Sequence, residues 1–285
     1  MHFLDYKHSC KNISNAGVVI LPLPVEFSTS YGKGTKFGPA AILKASPYLE
    51  FYDEQLDLQT WKIGIYTAPP FSGSTEPDTI INNIYNIVLH YINKKKFIIG
   101  LGGEHSVTLG IYKAFHDTCK NLSVLHLDAH SDLRDKYEGL KISHACVMRR
   151  IYESGAKIVQ VGIRSQSYNE RLFTIKNNIK TYYAYEMIKN SLPVTIIDQL
   201  TENVFITIDT DFFDPSVMPG TGTPEPGGFY WNETLLFLKK VFKQRNVVGF
   251  DVVEFSPIKG IFHPDFFIAK FIYKLTGFYY KYNYL

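Results

Sequence analysis

The chain has 285 residues, 45% of them hydrophobic, and a net charge of only +3. That is enough apolar mass for a sizeable core, and the charge comes without the basic blocks that a nucleic-acid or membrane-surface partner calls for. Cys10, Cys119 and Cys146 show no CxxC spacing, the stretch Met1–Lys7 lacks the apolar core of a signal peptide, and no run approaches the roughly 20 apolar residues of a membrane span, so a soluble protein of the reducing cytoplasm is expected.

Val18–Leu21 reads as a first strand, ended by Pro22 and Pro24. Ser28–Pro39 carries Gly32, Gly34 and Gly38 and reads as a loop, with Pro39 opening a helix to about Ala45. Lys62–Tyr66 follows as a short strand and Phe71–Asp78 as a turn. Thr79–Lys96 is the clearest helix: Ile80, Ile84, Ile87, Val88 and Tyr91 share one face, Asp78 is its expected N-cap, and Lys94-Lys95-Lys96 complements its C-terminal dipole. Strand Phe97–Leu101 runs into Gly102-Gly103, and Ser106 caps a helix to about Cys119.

Strand Leu122–Leu127 is followed by the polar loop Asp132–Ile142. A helix capped by Ser143 ends near Gly155, a C′ glycine. Then come strand Lys157–Ile163, helix Tyr168–Asn178, a short strand Lys180–Tyr183, a helix Pro193–Leu200 and strand Asn203–Asp209. Phe212–Gly228 is a Pro/Gly-rich loop too long for a plain connection. Helix Tyr230–Gln244, strand Val247–Val253 and helix Pro264–Gly277 complete the chain before an aromatic tail. This alternation predicts an α/β fold, a three-layer α/β/α sandwich around a mainly parallel sheet, as one domain over residues 1–285.

Three strand exits carry ligand-type side chains. Asp128, His130 and Asp132 are spaced i, i+2, i+4 after one apolar run, so on extended backbone they point the same way. Asp209 and Asp211 repeat the i, i+2 spacing after another, and His105 follows the Gly-rich turn. Such exits are where open α/β sheets place their sites. Four carboxylates and two imidazoles exceed a structural zinc site and suit a pair of divalent ions, with Mn²⁺ favoured by the mixed donors. Each ion pair of this kind can lower the pKa of a water from about 15.7 to about 7.

The ordered set Gly102-Gly103-Glu104-His105-Ser106, Asp128-Ala129-His130-Ser131-Asp132, Ser143-His144-Ala145, Asp209–Pro215, Gly220–Gly228 and Asp251–Pro257 resembles the ureohydrolase family, which includes arginase, agmatinase and formiminoglutamase. The resemblance runs from about Pro22 to the C-terminus. It implies an arginase-like fold and two Mn²⁺ per subunit held by His105, Asp128, His130, Asp132, Asp209 and Asp211. It also implies that Glu254 binds the guanidinium, that His144 transfers a proton, that the Gly34–Pro39 loop lies near the site mouth, and that the subunit assembles into a homo-oligomer, a trimer or hexamer. His126 reads as a satisfied core histidine or a partner of a ligand, and Asp214 as a shaper of its turn.

The substrate implied is a small cationic guanidino compound. The Asn that arginases carry after the Asp128–Asp132 motif is absent, and Arg134 stands there. Leu133–Gly139 and Gly220–Gly228 look like agmatinase sequences instead. Hydrolysis of agmatine to putrescine and urea is therefore the leading expectation, with N(1)-aminopropylagmatine next. Arginase and formiminoglutamase rank lower, the latter kept because Arg134 could meet a carboxylate. A non-enzymatic binding homologue and a single-zinc deacetylase are the rivals of other classes. Glu170 is a candidate for the amine end of the substrate, against a plain solvated helix residue.

Overall fold

The central strands are apolar at position after position, so they must be covered on both faces. In the computed structural model, which describes residues 1–187 and 192–285, they are. Eight strands form one sheet: β1 (Val18–Leu23), β2 (Ile65–Thr67), β3 (Phe97–Gly102), β4 (Leu122–Leu127), β5 (Lys157–Ile163), β6 (Lys180–Tyr183), β7 (Asn203–Asp209) and β8 (Asn246–Val253). Their order is β2-β1-β3-β8-β7-β4-β5-β6, and every neighbouring pair is parallel.

The helices are α1 (Gly38–Ala45), α2 (Pro77–Asn93), α3 (Val107–Thr118), α4 (Val147–Glu153), α5 (Tyr168–Lys176), α6 (Ala184–Met187), α7 (Trp231–Gln244) and α8 (His263–Tyr279). Side chains alternate across each strand, and this divides the core in two. Val18 and Ile20 pack with α1, α7 and α8, while Val19, Leu21 and Leu23 pack with α2, α3 and α4. The fold is thus the expected three-layer sandwich. No helix among the described residues is long and apolar enough to cross a membrane.

Several local expectations are corrected. Lys62–Tyr66 is not one strand: residues Thr60–Ile63 form a 3₁₀ turn, Gly64 takes a φ of 77°, and only Ile65–Thr67 pairs with β1. Pro193–Leu200 is helical as expected, of the 3₁₀ type over Val194–Gln199. α2 begins at Pro77, so Asp78 lies inside the first turn and Glu76 holds the N-cap position without a side-chain bond. Ser106 and Ser143 stand at helix starts without capping, because Ser106 gives its hydroxyl to Glu104 instead. Gly277 does not end α8, which runs on to Tyr279; a Cβ there would press on Thr60 at 2.8 Å.

Candidate active site

β3, β8, β7 and β4 are consecutive in the sheet, and their C-terminal ends carry His105, Glu254, Asp209 with Asp211, and Asp128 with His130 and Asp132. All but the fully buried Asp128 line one cleft of about 280 Å³. The turn after β3 is tight: a Cβ on Gly103 would collide with the Val25 carbonyl, so only glycine lets the chain turn there and aim His105 inward. Two ligand-type residues of the site adopt left-handed backbone, Asp132 at φ 53° and Glu254 at φ 61°. Such a conformation costs a non-glycine residue roughly 1–3 kcal/mol, and here it points both carboxylates into the cleft.

His105 is fully buried. Its Nδ1 faces carboxylate oxygens of Asp132 (3.0 Å), Asp128 (3.2 Å) and Asp209 (3.4 Å), yet makes no hydrogen bond of acceptable geometry. Its Nε2 lies 3.0 Å from the Thr207 hydroxyl, which fixes the ring. A second group gathers around His130, whose Nδ1 is 2.8 Å from Asp211 and 3.7 Å from Asp128. Asp128 therefore belongs to both groups. The acids are locked by backbone donors: Asp211 N to Asp209 (2.9 Å), Ala129 N to Asp211 (3.0 Å) and His130 N to Asp128 (2.5 Å).

Burial and the neighbouring Asp211 and Asp128 charges push Asp209 well above the usual carboxylate range. Burial works the same way on Asp128, but the His126, His105 and His130 imidazoles outweigh it and hold that carboxyl well below. Four buried carboxylates at one point call for cations. An orphaned imidazole nitrogen turned toward three of them is the donor arrangement that divalent ions satisfy, so the residues fit a two-ion centre.

His126 also lies within this cluster, but its Nε2 is engaged by Asp128 Oδ2 at 2.7 Å and its Nδ1 faces the Gln160 amide at 3.1 Å. It is both buried and the partner of a candidate ligand, orienting Asp128 rather than competing for an ion. Asp214 shapes its loop as expected, accepting from Ser216 N (3.0 Å), Gly227 N (3.0 Å) and Gly228 N (3.1 Å).

Glu254 is buried on the cleft wall and accepts from His105 N at 2.7 Å. Burial and the Glu104 charge push its carboxyl well above the ordinary range. His144 sits opposite, between Ser28 and Ser30, with the Tyr137 ring edge-on at 5.2 Å. Burial and the nearby His105 and His130 lower its pKa to about 4. Glu170 lines the cleft, but it is no solvated helix residue. It accepts from Leu133 N (3.0 Å), Ser167 N (2.8 Å) and the Ser167 hydroxyl (2.7 Å), with Arg134 at 3.8 Å. The loop that reaches the mouth is Thr29–Gly32; Gly34–Pro39 stands behind it, packed on Phe255 and Ser256.

Sequence reasoning missed three supports. Arg164 spends its guanidinium on carbonyls, including Asp211 (2.5 Å), Glu225 (2.9 Å) and Pro226 (3.0 Å), and so ties the Phe212–Gly228 loop to the β5 exit. Thr207 faces His105 from mid-strand, where an alternating β-pattern hides it. Glu104 lay in plain view beside His105, and four close donors surround it.

The Arginase family profile matches residues 16–276. The chain belongs to the Arginase family. Among curated relatives, the N(1)-aminopropylagmatine ureohydrolase of Synechocystis is 39% identical, covering 93% of this chain and 90% of that protein. The agmatinase of Pyrococcus horikoshii is 36% identical, covering 86% of each. Among solved structures, the agmatine ureohydrolase of Thermoplasma volcanium superposes with a TM-score of 0.89 at 29% identity, covering 97% of this chain and 95% of that one. The protein is therefore a ureohydrolase, a hydrolase acting on guanidino groups, with the arginase-like fold that its motifs imply.

Proposed function

We propose that this ureohydrolase acts on a cationic polyamine-type guanidine, N(1)-aminopropylagmatine ahead of agmatine, with two Mn²⁺ held by His105, Asp128, Asp132 and Asp209 on one side and His130, Asp128 and Asp211 on the other. The observation that carries the reading is Asp128, shared by two donor groups whose other members line, with Glu254, the same cleft. Two such ions would supply a nucleophile from water at neutral pH and polarise the guanidino carbon. The protein's residues do the rest. Glu254 orients the planar cation through charge-assisted hydrogen bonds. His144, kept neutral, accepts a proton on the cleft side and returns it to the departing amine. Water adds across the guanidino carbon, the bond to the alkyl nitrogen breaks, and a primary ammonium and urea leave.

Preference for the longer substrate rests on the mouth and on the relatives. Tyr31 lines the cleft, and Glu225, 3.6 Å from His130 Nε2, brings negative charge beside it, which suits a chain of ammonium groups. The 39% relative bears that substrate in its name. Agmatine stays as the second reading because the 36% relative is named for it. The reading places the protein in cytoplasmic polyamine synthesis and expects a trimer or hexamer. Urea release by the Mn²⁺-loaded protein from N(1)-aminopropylagmatine, agmatine and L-arginine in parallel tests it. A higher kcat/KM for agmatine reverses the ranking; urea from arginine alone overturns both.

A further inference from the structure

His144 is held by more than its own loop. The Ser28 hydroxyl touches three groups: Glu104 Oε1 at 2.8 Å, His144 Nδ1 at 3.2 Å and His144 N at 3.1 Å. A hydroxyl has one proton to give and two lone pairs to fill. Glu104 is fully buried and ringed by donors: Phe27 N (2.6 Å) and Ser28 N (2.7 Å) on Oε2, Ser28 Oγ and Ser106 Oγ (2.6 Å) on Oε1. Those four contacts fill the acceptor sites of a carboxylate. The Ser28 proton then goes to Glu104, and both Ser28 lone pairs turn to His144, one for the backbone N–H and one for Nδ1.

We propose that Ser28, aligned by Glu104, is a positioning residue that keeps His144 in the tautomer protonated at Nδ1, leaving Nε2 as the nitrogen that exchanges a proton with the substrate. The cleft geometry agrees. Ser30, 2.8 Å from Nε2, and Tyr137, 2.9 Å from Ser30, both line the cleft, whereas Ser28 and Glu104 lie behind it. During turnover Nε2 takes one proton, the imidazolium is stabilised through Nδ1–H on Ser28, and Nε2 gives the proton to the leaving nitrogen, so no proton is gained or lost over the cycle. This rests on the role given above to His144.

The test is a cycle on the Mn²⁺-loaded enzyme with its preferred guanidine: Ser28→Ala, Ser28→Thr, His144→Ala and Ser28→Ala/His144→Ala. Ser28→Ala is expected to lower kcat about 10–100-fold, the range of a general acid–base contribution only partly lost, with KM and bound Mn²⁺ unchanged. Ser28→Thr, which keeps the hydroxyl, restores kcat. In the His144→Ala background the Ser28→Ala change costs nothing further. Should Ser28→Ala fail to fold, Ser28→Cys, close in shape but a weak acceptor, is expected to show the same kcat loss. An equal loss with and without His144, or no loss at all, overturns the proposal. Absence of urea from every guanidine would instead remove the role of His144, and this inference with it.

Discussion

Replacing Glu254 by Gln separates binding of the guanidinium from support of the fold. Glutamine keeps a carbonyl oxygen for the 2.7 Å bond from His105 N, so the turn after β3 stays in place. What it loses is the negative charge facing the cleft beside Gly222. A hydrogen bond to a charged group is worth about 1.5–3 kcal/mol, and removing one partner of a buried charge pair costs roughly 2–5 kcal/mol. A loss of about 3–4 kcal/mol in transition-state binding corresponds to roughly 200–1000-fold in kcat/KM. Stability should not fall with it. Burial and Glu104 already push this carboxyl well above its ordinary pKa, so the charge is not favoured by the fold, and the substrate-free variant is expected to melt at the same temperature or higher. The assay is urea release at saturating Mn²⁺, with metal content measured on the same sample and a thermal melt beside it. A kcat/KM within threefold of the parent, with both ions retained, would refute the assignment and leave Glu254 a buttress of the His105 backbone.

Three further outcomes are expected. His126→Ala removes the 2.7 Å contact that orients Asp128 and should weaken Mn²⁺ binding about 10–100-fold while the fully loaded enzyme keeps most of its kcat; a metal titration followed by urea release measures both. Lys274→Met strands Asp53, its partner at 2.6 Å in a buried pair, and should cost about 3–5 kcal/mol, read as a lower denaturant midpoint, with part of it recovered when Asp53→Leu is added. His144 has a folded pKa of about 4 against 6.5 for the free side chain. The unfolded chain thus binds the extra proton first, so stability present above pH 6.5 is lost as pH falls toward 4. In metal-free protein the His144→Gln variant should escape roughly 2–3 kcal/mol of that loss, measured by urea denaturation across the window; parallel pH profiles for the two proteins would contradict the burial argument.

Some features of the chain are local, and the sequence alone determined them. The runs Phe97–Leu101, Leu122–Leu127 and Asn203–Asp209 are strands because they are short and mostly apolar, and the polar residues at and after their ends mark their exits. The i, i+2 spacing of Asp128, His130 and Asp132, and of Asp209 and Asp211, already implied side chains pointing together. Helix starts were less legible. Ser106 and Ser143 have the right chemistry for capping, but the Ser106 hydroxyl goes to Glu104 two residues before it and Ser143 makes no cap bond, and neither outcome can be read from residue type. Glu104 and Ser28, 76 residues apart, could not be paired from the chain order.

The site itself was a decision of the tertiary structure. In sequence, His105, Asp128, Asp209 and Glu254 leave β3, β4, β7 and β8, spread over half the chain. Only the spatial order β3-β8-β7-β4 makes those four exits neighbours and brings Asp128 and Asp209 within 3.4 Å of one imidazole nitrogen. That order is set by which crossover helices cover which face of the sheet, a property of the packed whole. Nothing in any one strand encodes it, because a buried parallel strand presents much the same apolar surface to every possible neighbour.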